Sequence, residues 1–361
     1  MTAGKCWRAL AAWLVVLALS LSGAGLAAAK GKDKKVKDRD KKEKQEKREK
    51  QEKQEKKDKE KKEKEKKQHA RGTPVLWRAP EDIETRDLFL GPGGSALKPD
   101  LRRVTFVKEE KGGYSKKYRV RDGAGREWVA KIGKEAQSET AAVRLIWAAG
   151  YMTEVNYLVP SLTIEGKGTF ENVRLEARPR YVERLDEWKW DKNPFVETKE
   201  MQGLLVMLAL LNNWDIKDAN NKVLQVRSPE TGRYELRYII SDLGATFGRV
   251  KSGLPVVWRF RRNRNDPDDY HDSDFVREVE GGYVELAYRG KREDLFEAIR
   301  VDEAAWLGNW LARLSDEQLR DAFRAANYTP GEIDLLAGEV RRRINELARL
   351  PGEQRAGGAR R

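Results

Sequence analysis

The sequence predicts an α+β protein with two lobes, a strand-rich first lobe followed by a helix-rich second lobe. Short alternating apolar runs separated by glycine turns extend from about residue 100 to residue 177. Helical spacing dominates after about residue 293, and the run GLLVMLALLNN between these regions is apolar on nearly every face. A fold of this class places a cleft between its lobes, and we expect the functional residues there.

Residues 1–29 have the pattern of an export signal. A basic start containing Lys5 and Arg8 precedes the apolar run Leu10–Leu21, and small residues allow cleavage near Ala29. We therefore expect the chain to be exported, to a periplasm or out of the cell. The alternative is an uncleaved membrane anchor, because an apolar segment of about 20 residues can just span a bilayer.

Residues 30–70 form a Lys/Glu-rich linker without an apolar face. Residues 30–67 contain 21 Lys or Arg and 12 Asp or Glu. Such a segment cannot bury enough surface to offset its ordering entropy, although opposite charges three and four apart can support a solvated helix. It is interpreted as a spacer, and the functional alternative is a tether to an anionic membrane or cell-wall surface.

The remaining 294 residues are nearly neutral and can form one large domain or two ordinary ones. Residues 68–361 contain 50 basic and 47 acidic side chains, so the composition does not predict a specific nucleic-acid partner. Cys6 is the only cysteine in the sequence. A disulfide framework and a cysteine-based zinc site are therefore both excluded.

The N-lobe is predicted over residues 71–177. Turn signals at Gly112-Gly113, Asp122-Gly123 and Gly166–Gly168 separate its elements. The predicted elements are strands at Arg103–Lys108, Lys116–Arg121 and Arg126–Ile132, a helix at Lys134–Ala149, and strands at Tyr157–Ile164 and Asn172–Ala177.

The C-lobe is predicted over residues 178–350, followed by a disordered tail at 351–361. Thr198 is a plausible N-cap for the buried apolar helix. The other predicted elements are a hairpin of Val223–Val226 with Leu236–Ile240, and two late helices that begin with capping boxes at Ser315/Gln318 and Thr329/Glu332.

Three segments in this order carry residues suited to chemistry. WVAKIG places Lys131 inside a strand. NNWDIKDANN places Asp215, Lys217 and Asn220 directly after the buried helix, and YIISDLGATFG places Asp242 directly after an apolar strand.

If the reaction is phosphoryl transfer, each of these residues has a chemical role. A lysine fixed on a strand, Lys131, can neutralise the phosphates of a nucleotide. Asp215 can orient an incoming hydroxyl and accept its proton, while Lys217 lies where charge develops on the transferred group. Asn220 and Asp242 can hold the metal ions that bridge the phosphates.

These segments resemble the motifs of the protein-kinase-like superfamily, over roughly residues 100–345. The catalytic loop of that family, D-x-K-x-x-N, is D-I-K-D-A-N here; its D-F-G is D-L-G; and its V-A-x-K corresponds to V-A-K at Val129–Lys131. The resemblance implies a two-lobed kinase-like fold, ATP with Mg²⁺ or Mn²⁺, and transfer of the γ-phosphoryl group to a hydroxyl-bearing acceptor, expected to be a protein. It also implies that Glu139 is the acidic partner of Lys131, with Glu135 as a rival.

The sequence also departs from the family. Asn213-Trp214 replaces the His-Arg before the catalytic aspartate, and Gly112 and Gly113 alone stand where a full Gly-rich nucleotide loop is expected. No A-P-E follows the D-L-G segment. The chain is therefore similar to an atypical branch, like the secretory-pathway and phosphatidylinositol kinases. Two alternatives stay open: a pseudokinase scaffold that binds a nucleotide or a protein, and a nucleotidyl transferase on the same fold.

Overall fold

The computed structural model describes Gln54 and residues 70–110, 115–250 and 262–351. The chain divides into two units, residues 1–68 and 69–361, and the helices and strands given below belong to the second. The predicted signal, the charged tract apart from Gln54, the tail after residue 351, and both Gly112 and Gly113 lie outside the described residues.

The secondary structure alternates in the first half and is mostly helical at the end. The strands are β1 (Thr73–Val75), β2 (Thr105–Glu110), β3 (Lys116–Arg121), β4 (Glu127–Ile132), β5 (Asn156–Ile164), β6 (Gly168–Ala177), β7 (Glu183–Arg184), β8 (Asn221–Arg227), β9 (Tyr234–Ile240), β10 (Val276–Glu280) and β11 (Tyr283–Leu286). The helices are α1 (Glu135–Ala148), α2 (Lys199–Leu210), α3 (Pro267–His271), α4 (Val301–Leu311), α5 (Asp316–Arg324) and α6 (Pro330–Ala348).

A five-stranded antiparallel sheet with the order β2-β3-β4-β6-β5 forms the strand-rich part. Alternate residues of a strand point to opposite faces, and on β4 Trp128 and Ala130 face a hydrophobic core shared with Val120 and Leu175. Lys131 therefore points to the opposite face, where its partner on β6 is Arg174. Helix α1 follows β4 directly and brings its acidic residues to that face.

Helix α2 is the centre of a second, larger hydrophobic core. Its N-cap is Thr198, whose hydroxyl accepts a hydrogen bond from the Met201 N–H, as predicted. Every residue from Gly203 to Leu210 is buried, which explains why the sequence is apolar on nearly all faces. Among the described residues, no helix is both long enough and apolar enough to cross a membrane.

The β8–β9 hairpin carries a candidate residue at each side of its base. Its register pairs Asn221 with Ile240. Directly beyond that pair, the Ser241 N–H donates to the Asn220 carbonyl at 2.7 Å. Strand β1 pairs with β9 in parallel, and β7 pairs with β8 in the antiparallel sense, which makes a four-stranded sheet.

The segment that precedes the first sheet is part of the larger core, which the sequence did not indicate. Leu76, Ile83 and Leu88 are all almost fully buried in the cluster that contains α2. Trp77 also contacts Trp306 and Trp310 of α4, with ring centroids 5.0 and 6.0 Å apart. This segment, the strands β1, β7, β10 and β11 and the short helix α3 have no counterpart among the predicted elements.

Candidate active site

Lys131 lies at the centre of a cluster of three carboxylates. Its Nζ is 2.8 Å from Glu139 Oε2, 2.9 Å from Glu135 Oε2 and 3.3 Å from Asp242 Oδ1. The lysine side chain is only 2% exposed, whereas that of Asp242 is 42% exposed. The structure therefore brings the strand lysine and the Asp-Leu-Gly carboxylate together, although 111 residues separate them.

The cluster keeps both partners charged. Burial alone would lower the pKa of Lys131, but Glu139 and Asp242 outweigh it and hold that pKa above its usual value. Burial would likewise raise the pKa of Asp242, but Lys131 and the backbone N–H of Gly244 hold it below its usual value. At neutral pH the pair is therefore an ammonium beside a carboxylate, suited to phosphates and to a metal ion respectively.

Glu135 and Glu139 were both candidates for the acidic partner of Lys131. Both contact its ammonium, but their surroundings differ. Glu139 is 1% exposed and also forms an ion pair with Arg174 at 3.0 Å. Glu135 lies nearer the surface, accepts a hydrogen bond from Ser115 Oγ at 2.7 Å, and forms an ion pair with Arg264. Glu139 is thus fixed inside the strand-rich part, while Glu135 links it to the segment after Asp-Leu-Gly.

Arg174 is a residue of this cluster that the sequence analysis missed. It lies directly opposite Lys131 on β6, and its guanidinium joins Glu139 to Glu176 at 3.0 and 2.7 Å. A signal was available, because the run V-R-L-E alternates charged and apolar residues. That alternation places Arg174 and Glu176 on one face of the strand, opposite the core.

Asp215 begins a loop that is folded back on itself. The backbone N–H of Asp215 donates to Asn213 Oδ1 at 3.1 Å, and Asn220 Nδ2 donates to the Asp215 carbonyl at 2.7 Å. Lys217 Nζ is 2.9 Å from Asp215 Oδ2. All three predicted residues of this loop, Asp215, Lys217 and Asn220, therefore lie within one set of contacts.

Lys291 also binds Asp215, and no motif in the sequence indicated it. Its Nζ is 2.5 Å from Asp215 Oδ1, so each carboxylate oxygen has its own lysine. Burial would raise the pKa of Asp215, but the bonds from Lys291 and Lys217 hold that pKa below its usual value. Asp215 is consequently ionised at neutral pH, as an acceptor of a proton must be.

Asn220 and Asp242 fit the role of metal ligands. The hydrogen bond from the Ser241 N–H to the Asn220 carbonyl holds the two residues together at the base of the β8–β9 hairpin. The Asn220 amide nitrogen is used by Asp215, which leaves its Oδ1 as the free end, and much of the Asp242 carboxyl is exposed. No group of three or more His, Cys, Asp or Glu residues suited to a metal occurs in the described ranges. Mg²⁺ commonly needs only one or two protein ligands beside phosphates and water.

Gly244 fixes the Asp-Leu-Gly segment against α1. A Cβ at this position would lie 2.7 Å from the Cβ of Glu135, so a larger residue would push the helix away. Ser138 Oγ also donates to the Gly244 carbonyl at 3.1 Å. The position of Asp242 is therefore tied to that of the helix that carries Glu135 and Glu139.

A cavity of about 920 Å³ opens beside the segment that joins β6 to β7. Its walls include Arg119 and Glu127, and its apolar part includes Leu224 and Val226 of β8. Glu127 is on the same face of β4 as Lys131, four residues and about 13 Å away along the strand. The cavity thus lies next to the Lys131 cluster rather than on it.

The arrangement of these elements confirms the predicted protein-kinase-like fold. A lysine strand, a helix with its acidic partner, a buried helix, a loop with Asp215 and Asn220, and a hairpin ending at Asp242 follow one another in the predicted order.

Comparison with known proteins gives matches among solved structures. No family model and no curated protein matches the chain. The chain is similar to the Helicobacter pylori proinflammatory kinase CtkA, with a TM-score of 0.40 and 13% identity over 69% of this chain and 96% of that one. It is also similar to the Rio2 kinase from Chaetomium thermophilum, solved as an ADP/Mg²⁺-phosphoaspartate complex, with a TM-score of 0.30 and 12% identity over 70% of this chain and 74% of that one. Likenesses this distant say nothing about activity.

Proposed function

We propose that the protein is an ATP-dependent phosphotransferase of atypical protein-kinase type, which transfers the γ-phosphoryl group to a hydroxyl acceptor. One observation carries this proposal. Lys131, Asp215, Asn220 and Asp242 come from three distant segments, and the fold brings them into two adjoining clusters that share the base of one hairpin. A binding scaffold has no need of this complete set.

The strand-rich part binds the nucleotide. The Lys131 ammonium, held by Glu139, presents fixed positive charge to the phosphates. Asn220 and Asp242 would hold Mg²⁺ or Mn²⁺, which would neutralise charge on the phosphates. The cavity beside the β6–β7 segment has room for the nucleoside, because its volume of about 920 Å³ is that of an ordinary ligand pocket.

Asp215 activates the acceptor hydroxyl. Its carboxylate orients the acceptor hydroxyl and takes its proton as the acceptor oxygen bonds to the γ-phosphorus. The bond from that phosphorus to the bridging oxygen breaks, and ADP leaves. Lys217 can turn from Asp215 to the transferred group, because its side chain is half exposed and reaches the carboxylate from the same loop.

Transfer of label from γ-labelled ATP tests this proposal. The chain is mixed with ATP, Mg²⁺ or Mn²⁺ and an extract of acceptors, and labelled products are counted. Asp215→Asn and Asp242→Ala are each expected to lower transfer by about 10²- to 10⁴-fold, because one removes the proton acceptor and the other a metal ligand. Asp218→Asn is the matched control, since Asp218 lies in the same loop but contacts Arg292 instead.

The outcomes separate the proposal from its alternatives. Equal transfer by the Asp215→Asn variant would contradict the assigned mechanism. If ATP binds and no γ-label moves to any acceptor or to the protein, the scaffold is favoured. Transfer of label from α-labelled ATP alone would instead identify a nucleotidyl transferase.

A further inference from the structure

We infer that Lys291 is a positioning residue for Asp215, one that holds the carboxylate in place while Lys217 serves the transferred phosphoryl group. The inference rests on the proposed function and assigns a residue outside its motifs. It starts from the geometry of the carboxylate: Lys217 contacts Oδ2 and Lys291 contacts Oδ1. The Asp215 side chain is 17% exposed, and both lysines are about two-fifths exposed.

The backbone around Lys291 is anchored to the loop that it serves. The Lys291 N–H donates to the Trp214 carbonyl at 2.9 Å, and the Tyr288 hydroxyl donates to the Lys291 carbonyl at 2.9 Å. Gly290 allows this close approach, because a Cβ there would lie 2.5 Å from the Trp214 carbonyl oxygen. These contacts hold the Lys291 backbone next to Asp215, within reach of its carboxylate.

The two lysines differ in whether they move away from the Asp215 carboxylate during the reaction. If Lys217 moves to the transferred group, Oδ2 becomes free to accept the hydroxyl of the acceptor. Lys291 differs in that its own backbone N–H is bonded to the Trp214 carbonyl, directly before Asp215, and in this inference it continues to hold Oδ1. The carboxylate then presents one oxygen in a fixed direction, which is the condition for efficient transfer of a proton in the transition state.

Steady-state kinetics of the full chain with ATP and Mg²⁺ test this inference, with water and the protein itself as acceptors. Lys291→Met is expected to lower kcat by about 10²-fold, as for a misplaced catalytic group, and to leave the KM for ATP unchanged. Lys291→Arg is expected to restore most of kcat because it keeps the cation. Arg289→Met is the matched control, since Arg289 lies in the same loop but pairs with Glu293.

A second measurement separates positioning from folding and from nucleotide binding. All variants are compared by thermal unfolding and by binding of a fluorescent ATP analogue with Mg²⁺, and both are expected to be unchanged. If the unsubstituted chain transfers phosphoryl groups and Lys291→Met keeps its kcat, this inference alone is overturned. An equal loss in Arg289→Met, or no rescue by Lys291→Arg, would also overturn it. If the unsubstituted chain transfers nothing to water, to itself or to the extract of acceptors, the proposed function fails, and this inference fails with it.

Discussion

Glu139 shows that buried ion pairs hold the site together. Its carboxylate is buried and has two cations within 3.0 Å, Lys131 and Arg174. Burying a carboxylate is costly unless it is paired, and removing one partner of a buried pair leaves an uncompensated charge. Arg174 therefore supports the position of Glu139, and through it that of Lys131, because without it the buried glutamate would keep only one of its two cations.

Arg174→Met is expected to destabilise the protein by about 3–5 kcal/mol, because it leaves Glu139 and Glu176 without a shared cation. Denaturant unfolding of the purified chain measures this. The control is Arg103→Met, which removes an exposed arginine that pairs with Glu165 at 2.9 Å and is expected to cost at most about 1 kcal/mol. Equal losses in the two variants would show that the buried cluster is not needed for stability.

Short motifs predicted part of this site and could not predict the rest. Lys131, Asp215, Asn220 and Asp242 were assigned because each has a fixed place in a local pattern of strand, loop or turn. Lys291 has no local pattern, since its role depends on a loop that returns to Trp214 from a distant part of the chain. The choice between Glu135 and Glu139 was also beyond sequence reasoning, because both face Lys131 from one helix.

Two late helices begin at the capping residues that the sequence predicts. Helix α5 begins after Ser315 and helix α6 after Thr329, and both capping boxes are formed, as predicted. A capping box satisfies backbone N–H groups that the first turn of a helix leaves without partners. Local chemistry of this kind is readable from sequence, which is why these boundaries were correct.

Thr329→Ala is expected to destabilise the protein by about 1 kcal/mol, because it removes the hydroxyl that caps α6. In the structure that hydroxyl bonds to Glu332 Oε2 at 2.8 Å and accepts from the Glu332 N–H. Thr329→Ser keeps the hydroxyl and is expected to unfold at nearly the same denaturant concentration as the unsubstituted chain. A Thr329→Ala variant as stable as Thr329→Ser would show that the cap adds nothing.

Other elements were missed because tertiary contacts, and not local patterns, create them. Strand β1 has three residues and forms only because β9 offers an edge to pair with. The β10–β11 hairpin is largely exposed and lacks clear apolar alternation, so its sequence resembles a loop. By contrast, β3 and β4 were predicted almost residue for residue, because each faces a core on one side.

At the scale of the whole molecule, the segment before the five-stranded sheet is an integral part of the second unit. Leu76, Ile83 and Leu88 enter the core formed by α2 and the late helices. Gln318 of α5 also donates to the Ile83 and Arg86 carbonyls, at 2.8 and 3.0 Å. The motif resemblance began near residue 100, but the folded unit begins earlier.

A chain that begins at residue 100 is expected not to fold, whereas a chain that begins at residue 70 is expected to melt like the full protein. Losing three buried side chains removes about 1.5–3 kcal/mol each, which is comparable to the whole stability of a typical domain. Circular dichroism and thermal unfolding of both chains measure this. A cooperative transition at an unchanged temperature in the shorter chain would contradict the expectation.

The turn of the β8–β9 hairpin offers a place from which the nucleoside cavity can be observed. Asn220 and Asp242 are set by its base, while its turn is closed separately by the Ser228 N–H to Arg233 carbonyl bond of 2.8 Å. The turn is exposed at Glu230 and Thr231 and lies seven residues, or more than about 20 Å, from the base. Because Pro229 of this turn lines the cavity proposed for the nucleoside, a fluorophore attached at Glu230 or Thr231 is expected to respond to nucleotide loading.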